Sequence, residues 1–143
     1  MNLLVNRVCS ALLAVSGAFV GAWAYFAPLH WYNNFPGLGM KWLPVLGPYN
    51  EHFAKDVGAM YLALATSSAA AFVYVANRTL IVVTGLAYSM FNLLHLTYHV
   101  SMLHMYGTRD AILNAVFLSA VLLCSVMLVI PAGTIGQNRS VVR

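Results

Sequence analysis

Four apolar stretches, each long enough to cross a lipid bilayer, dominate this sequence. A crossing helix needs about 20 apolar residues, and four such helices leave only short connections in a chain of 143 residues. Hydrophobic residues make up 62% of the chain and charged residues only 7%, whereas about 25% of an ordinary soluble domain is charged. The sequence therefore predicts one transmembrane domain and excludes both a soluble globular domain and a disordered chain.

Helix boundaries follow from breakers and capping residues. We predict helices over about residues 8–27, 51–76, 80–106 and 110–130, followed by a polar tail over 131–143. Asn50 stands at an N-cap position with Glu51 in the first turn behind it, and Gly107 and Thr108 read as a C-cap and an N-cap. Because residues 77–78 are a very short connection, the second and third helices must be antiparallel neighbours. The fold class is an all-α, up-down bundle of four spans.

The segment between the first two spans, residues 29–49, combines aromatic residues with helix breakers. Its Pro and Gly residues begin at Pro36 and predict a loop without a helix. Because Trp and Tyr prefer the headgroup level of a bilayer, we expect this loop to lie folded on the membrane surface.

The distribution of charged residues favours a location for the protein and an orientation of its helices in the membrane. The chain carries seven Lys and Arg residues and three Asp and Glu residues. The cations are scattered, which does not favour nucleic-acid binding. With the N-terminus inside, four cations are cytoplasmic and three lie outside, so the positive-inside rule favours a multi-pass cell-membrane protein with both termini cytoplasmic. Cys9 and Cys124 lack a CxxC spacing and are interpreted as packing residues.

All histidines and carboxylates fall at one end of the predicted bundle, on the outer side in this orientation. On the third helix, four polar residues are spaced by four, three and four positions and therefore share one stripe: Tyr88, Asn92, His95 and His99. On the second helix, His52 and Asp56 are four residues apart. Ionisable groups at membrane depth are costly and normally face the bundle interior or a cavity. We therefore predict a polar pocket beneath the aromatic loop.

Two overlapping sets of candidate site residues result. The predicted ligand-binding set is Tyr49, Asn50, Glu51, Asp56, Tyr88, Asn92, His95 and His99. The predicted metal set is His52, Asp56, His95 and His99, because imidazoles and carboxylates are common transition-metal ligands. Haem is disfavoured, since only His52 could face the third-helix histidines as a second axial ligand. A hydrogen-bonded helix-end residue without a function is the competing interpretation of His52 and Asp56.

Several short motifs are carried by residues between about 31 and 114: Phe35-Pro36-Gly37-Leu38-Gly39, Trp42, Gly47-Pro48-Tyr49-Asn50-Glu51-His52, Asp56, Gly58 and His95-Leu96-Thr97-Tyr98-His99. This pattern resembles a group of uncharacterised small bacterial four-helix membrane proteins in which no activity is assigned. Size and helix count are more distantly similar to the DoxX-like family, and this likeness implies quinone or sulfur redox chemistry without assigning a residue.

Three functions stay open from the sequence. The first is a membrane protein whose pocket binds a small amphipathic ligand or a transition metal, with proton transfer by His95 or His99 as a possible chemistry. The second is an accessory or structural subunit of a larger membrane complex, or a homo-oligomer, whose polar stripe contacts a partner. The third is a small quinone-linked redox protein. No catalytic residue is assigned.

Overall fold

The computed structural model describes residues 3–131 and confirms the predicted fold class. Residues 3–131 contain four helices that are long and apolar enough to cross a membrane. They are α1 (Leu3–Phe26), α3 (Glu51–Val73), α4 (Arg78–Ser101) and α5 (Thr108–Val129), and a shorter helix, α2 (Pro28–Asn34), follows α1. The predicted polar tail lies outside the described residues from position 132 onward.

Some observed helix ends match the predicted ones and others differ. Asn50 caps α3 as predicted, because its side-chain oxygen accepts a hydrogen bond from the Phe53 N–H at 3.2 Å. α4 ends at Ser101, earlier than the predicted 106, and a 3₁₀ helix over Leu103–Met105 follows it. Gly107 is therefore the N-cap residue of α5 and Thr108 its first residue. The predicted capping roles of these last two residues are wrong.

The connecting segment, residues 27–50, contains more regular structure than its breakers predict. The expectation of no helix here is wrong, since α2 occupies Pro28–Asn34. Its only proline stands in the first turn, where the missing N–H has no intrahelical partner to lose. A two-stranded hairpin follows, with β1 (Pro36–Gly37) paired antiparallel to β2 (Met40–Lys41). Gly37 and Gly39 have φ values of +106° and +80°, which suit glycine.

The four spans pack as two tight pairs, α1 with α3 and α4 with α5. In the first pair, a Cβ added to Gly21 would lie 2.9 Å from the Gly58 carbonyl oxygen. In the second pair, a Cβ on Gly85 would lie 2.8 Å from the Leu128 Cβ. Both pairs therefore depend on glycines for close backbone approach, as is common between helices in lipid.

The two ends of the bundle are built differently. At the turn end, where residues 74–77 join α3 to α4, the space between the helix pairs is filled by a core cluster: Cys9, Leu13, Ala71, Val75, Ile81, Tyr88 and Leu128. Arg78 also donates hydrogen bonds to the Leu128, Val129 and Ile130 carbonyl oxygens at 2.8, 2.7 and 3.0 Å, respectively. At the loop end, the connecting segment covers the bundle and an aromatic cluster around Trp31 replaces the aliphatic core.

Candidate functional site

A cavity of about 550 Å³ lies within the loop-end half of the bundle. All four spans and the connecting segment contribute to its wall, which is mainly aliphatic and aromatic. Its volume falls within the range of roughly 300 to 1,000 Å³ typical of small-molecule sites. Such sites combine an apolar wall with a few placed polar groups, and this cavity has the same composition. The bundle therefore forms a partly open cavity of the right size and polarity for a small lipophilic molecule.

The connecting segment forms the roof of this cavity through Trp31, Phe35 and Trp42. The backbone N–H of Trp42 donates to the Phe35 carbonyl oxygen at 2.8 Å. The Tyr106 hydroxyl donates to the Trp42 carbonyl oxygen at 3.2 Å and ties the roof to the link between α4 and α5. Burial is the main cause that raises the pKa of Tyr106 to about 12, with Tyr98 and Asp110 adding to it. The Tyr106 hydroxyl therefore stays protonated, and able to donate, at neutral pH.

The polar stripe predicted on α4 lines the cavity with all four of its residues. Three of them already have partners on other helices. The Tyr88 hydroxyl donates to the Leu13 carbonyl oxygen at 3.0 Å, and the Asn92 amide donates to the Val121 carbonyl oxygen at 3.3 Å. The Asn114 amide nitrogen lies 3.3 Å from His99 Nδ1. The two side chains therefore pair between α4 and α5.

His95 is the remaining residue of the stripe. In the described part of the chain its ring makes aromatic contacts but no hydrogen bond. Its ring stacks on Phe91 at 5.2 Å between centroids and meets His99 edge-on at 4.5 Å. Tyr61 on α3 also contacts Phe91, with its ring 5.1 Å away in a T-shaped contact. Tyr61 and His95 therefore contact the same phenyl ring, and both line the cavity.

The predicted residues at the start of α3 are not part of this cavity. Glu51 pairs with Lys55 at 2.9 Å, and His52 pairs with Asp56 at 3.2 Å, on exposed positions. The reason is the rotation of α3, which turns Ala54 and Gly58 into the bundle. His52 and Asp56 lie about half a turn away on the opposite face.

The predicted metal set is therefore not assembled. Its two members on α3 lie on the surface, whereas His95 and His99 line the cavity. Within residues 3–131, no group of three or more His, Cys, Asp or Glu side chains could hold a metal ion. The prediction failed because spacing along one helix fixes neighbours only within that helix.

Tyr49 and Asn50 lie in a separate surface depression of about 220 Å³ on the outer side of the roof. The Asn50 side chain is occupied as the cap of α3, and the Tyr49 ring packs on Tyr32 at 5.4 Å. Four residues line both the depression and the cavity and form the wall between them: Trp31, Leu43, Leu46 and Val57.

Sequence reasoning did not select several residues that line the cavity, among them Tyr61, Trp31, Trp42 and Phe117. Tyr61 shares the face of α3 that carries Gly58 and Ala65, both of which are buried. The small-residue spacing on that face was a signal that could have identified Tyr61. No comparable signal was available for the two tryptophans, whose positions depend on how the connecting segment folds.

Charge is missing from the wall of this cavity. Among the described residues that line it, there is no Asp, Glu, Lys or Arg.

Comparison with known proteins adds no relative from which a ligand could be inferred, because no family model, no curated protein and no solved structure matches the chain.

Proposed function

We propose that this protein binds a small lipophilic molecule from the bilayer in the cavity beneath the connecting segment. The observation that carries the proposal is the 550 Å³ space itself, walled by all four spans. Protein interiors are close-packed, and voids larger than a water molecule are few. A hollow of this size in an otherwise tightly paired bundle is explained by a molecule that fills it.

The inward direction of the α4 stripe supports a ligand pocket over the accessory-subunit alternative. A stripe that awaits a partner protein should face away from its own bundle. Tyr88, Asn92 and His99 are instead buried, with exposed fractions of 2%, 5% and 7%. Their hydrogen bonds run to α1 and α5 of the same chain.

Binding can be tested with N-phenyl-1-naphthylamine, a neutral dye whose fluorescence increases in apolar surroundings. The protein in lipid nanodiscs should bind about one dye molecule above the signal of empty nanodiscs. Val20→Trp places a large side chain in the cavity wall and should abolish this saturable signal. Val15→Trp is the matched control, because Val15 is on the same helix but faces outward and is 70% exposed.

Two further measurements make this result decisive. Val121→Phe narrows the cavity from α5 and should reduce dye binding as Val20→Trp does. Thermal unfolding of each variant distinguishes a blocked cavity from a misfolded chain. Equal saturable binding by the wild type and by two folded, cavity-filled variants would contradict the proposal.

The proposal also places the protein in the cell membrane with both termini in the cytoplasm, which puts the cavity in the outer half of the bilayer. A single-cysteine variant can test this orientation. Leu38 is 95% exposed at the tip of the hairpin, so Leu38→Cys with Cys9 and Cys124 changed to Ser should react with a membrane-impermeant maleimide on intact cells. Asn77→Cys in the same background should react only after the cells are permeabilised. The reverse pattern would contradict the orientation.

A further inference from the structure

We propose that the ligand carries an uncharged oxygen acceptor, preferably a carbonyl oxygen, which accepts hydrogen bonds from the Tyr61 hydroxyl and the His95 imidazole. This inference rests on the proposed function and specifies the chemical class of its ligand. The ligand would be a neutral lipophilic ketone, ester or related carbonyl compound, and a fatty acid or a lipophilic amine would be rejected.

Electrostatics argues for a neutral head group. The described lining residues include no cation to pair with a carboxylate and no anion to pair with an amine. Burying an unpaired charge in an apolar environment costs far more than burying a neutral polar group with a hydrogen bond. A charged ligand would therefore remain at the headgroup level of the bilayer, whereas a neutral one can enter the cavity.

Hydrogen-bond accounting points to Tyr61 and His95 as the groups that meet the ligand. Neither side chain has a hydrogen bond within residues 3–131, although both line the cavity and contact the Phe91 ring. Three other polar groups of the wall, on Tyr88, Asn92 and His99, have partners on neighbouring helices. Tyr98 also lines the cavity, but it is 51% exposed and lies three residues before the end of α4, so its hydroxyl is not buried as a required partner of a ligand.

The neighbourhood of the cavity also holds buried polar atoms that a ligand does not reach. The indole N–H groups of Trp31 and Trp42 and Oδ1 of Asn114 have no hydrogen-bond partner in the described part of the chain, but they are inaccessible even to water. Tyr61 and His95 therefore remain the groups that meet the ligand. Each offers one donor and one acceptor when neutral, but a phenol is a stronger donor than acceptor, so an oxygen acceptor on the ligand is the best match for the Tyr61 hydroxyl.

Three naphthalenes of nearly equal size separate the effect of the oxygen from that of the ring. They are 2-acetylnaphthalene, which is neutral with a carbonyl; 2-isopropylnaphthalene, which has the same number of heavy atoms but no oxygen; and 2-naphthoate, which is an anion. Each is used to displace N-phenyl-1-naphthylamine from the protein in nanodiscs, and its affinity is corrected for its partition into empty nanodiscs. Because one net hydrogen bond is worth roughly a factor of 2 to 10 in affinity, we expect 2-acetylnaphthalene to bind about fivefold more tightly than 2-isopropylnaphthalene.

Variants assign this preference to residues. Tyr61→Phe removes only a hydroxyl and should eliminate most of the ketone preference while leaving the affinity for the hydrocarbon unchanged. His95→Phe should reduce the preference as well, and Tyr74→Phe is the matched control, since Tyr74 is 64% exposed at the turn end and its change should have no effect. Retention of the preference in both Tyr61→Phe and His95→Phe would overturn the assignment.

The outcomes distinguish this inference from the function on which it rests. Equal binding of ketone and hydrocarbon, with both lost in Val20→Trp, would overturn the inference and leave the binding function standing. Binding of 2-naphthoate as tight as that of the ketone would also overturn it. Displacement that does not depend on Val20 or Val121 would remove the binding function and the inference together.

Discussion

The turn-end half and the loop-end half of the bundle use the same four helices but fill the space between them differently. At the turn end, Leu13, Ile81 and Leu128 are at most 1% exposed and close the gap between the helix pairs. At the loop end, the same gap is a cavity of about 550 Å³ beneath an aromatic roof. Both halves belong to the same continuous helices.

This contrast separates stability from binding along the bundle axis. A packed half holds the two helix pairs in register and allows the other half to remain hollow without collapse. Polar groups follow the same division. Ser67 and Thr84, deep in the packed half, bond each other at 2.7 Å, whereas Tyr61 and His95 in the hollow half lack hydrogen bonds within the described residues. We therefore expect mutations in the two halves to have distinct effects.

The largest expected difference is between two leucines on α5. Leu128→Ala removes a fully buried side chain and should lower the free energy of unfolding by about 2 to 4 kcal/mol. Leu118→Ala alters the wall of an existing cavity and should cost about 1 kcal/mol or less, because fewer contacts are lost. Titration with a denaturing detergent in mixed micelles measures both. Similar losses would contradict the division into a packed and a hollow half.

Arg78 tests the turn end in a second way. Arg78→Met removes hydrogen bonds to three carbonyl groups at the end of α5, together with a favourable charge at a helix C-terminus. We expect a loss of about 1 to 3 kcal/mol, measured by the same titration. Arg78→Lys keeps the charge but not the forked geometry, so it should recover only part of the loss. A full recovery would show that charge alone matters there.

Filling the hollow half should stabilise the chain. Val121→Phe extends a wall residue into the cavity and should raise the unfolding free energy by about 0.5 to 2 kcal/mol, as cavity-filling substitutions commonly do. Val116→Phe is the matched control on the same helix, since Val116 is exposed. Thermal unfolding in nanodiscs compares the two. Destabilisation by Val121→Phe but not by Val116→Phe would indicate that the cavity cannot accept added volume.

The roof should show the smallest effect on stability. Tyr106→Phe removes the hydrogen bond to the Trp42 carbonyl oxygen and should cost about 0.5 to 1.5 kcal/mol. The loosened roof should also raise the reaction rate of a thiol at Leu43→Cys, in a background without Cys9 and Cys124, towards a small maleimide. Tyr32→Phe, which frees the Gly47 carbonyl oxygen instead, is a useful comparison. An unchanged thiol reaction rate in Tyr106→Phe would show that this bond does not hold the roof.

The sequence predicted those features of the site that depend on the residue spacing within a single helix. The α4 stripe was found because spacing along a helix determines which residues share a face. The contribution of α3 was predicted wrongly, since the rotation of α3 depends on its packing against α1 through Gly21 and Gly58. His52 and Asp56 therefore face outward, and Tyr61 takes the place expected for them.

The connecting segment shows a second limit of sequence reasoning. Its aromatic content predicted a surface element over the bundle, but the density of Pro and Gly after residue 35 concealed α2. Which aromatic side chain turns into the cavity depends on contacts such as those of Trp42 with Phe35 and Tyr106. These contacts join residues up to 64 positions apart, and no local pattern records them.

Photolabelling in nanodiscs with a neutral benzophenone, followed by peptide mapping, tests the central claim most directly. The account predicts saturable labelling on cavity-wall residues from several helices, such as Tyr61, Leu118 and Val121, and its loss in Val20→Trp but not in Val15→Trp. Labelling confined to outward-facing positions such as Leu12, Val15 and Leu123, and equal in both variants, would contradict it.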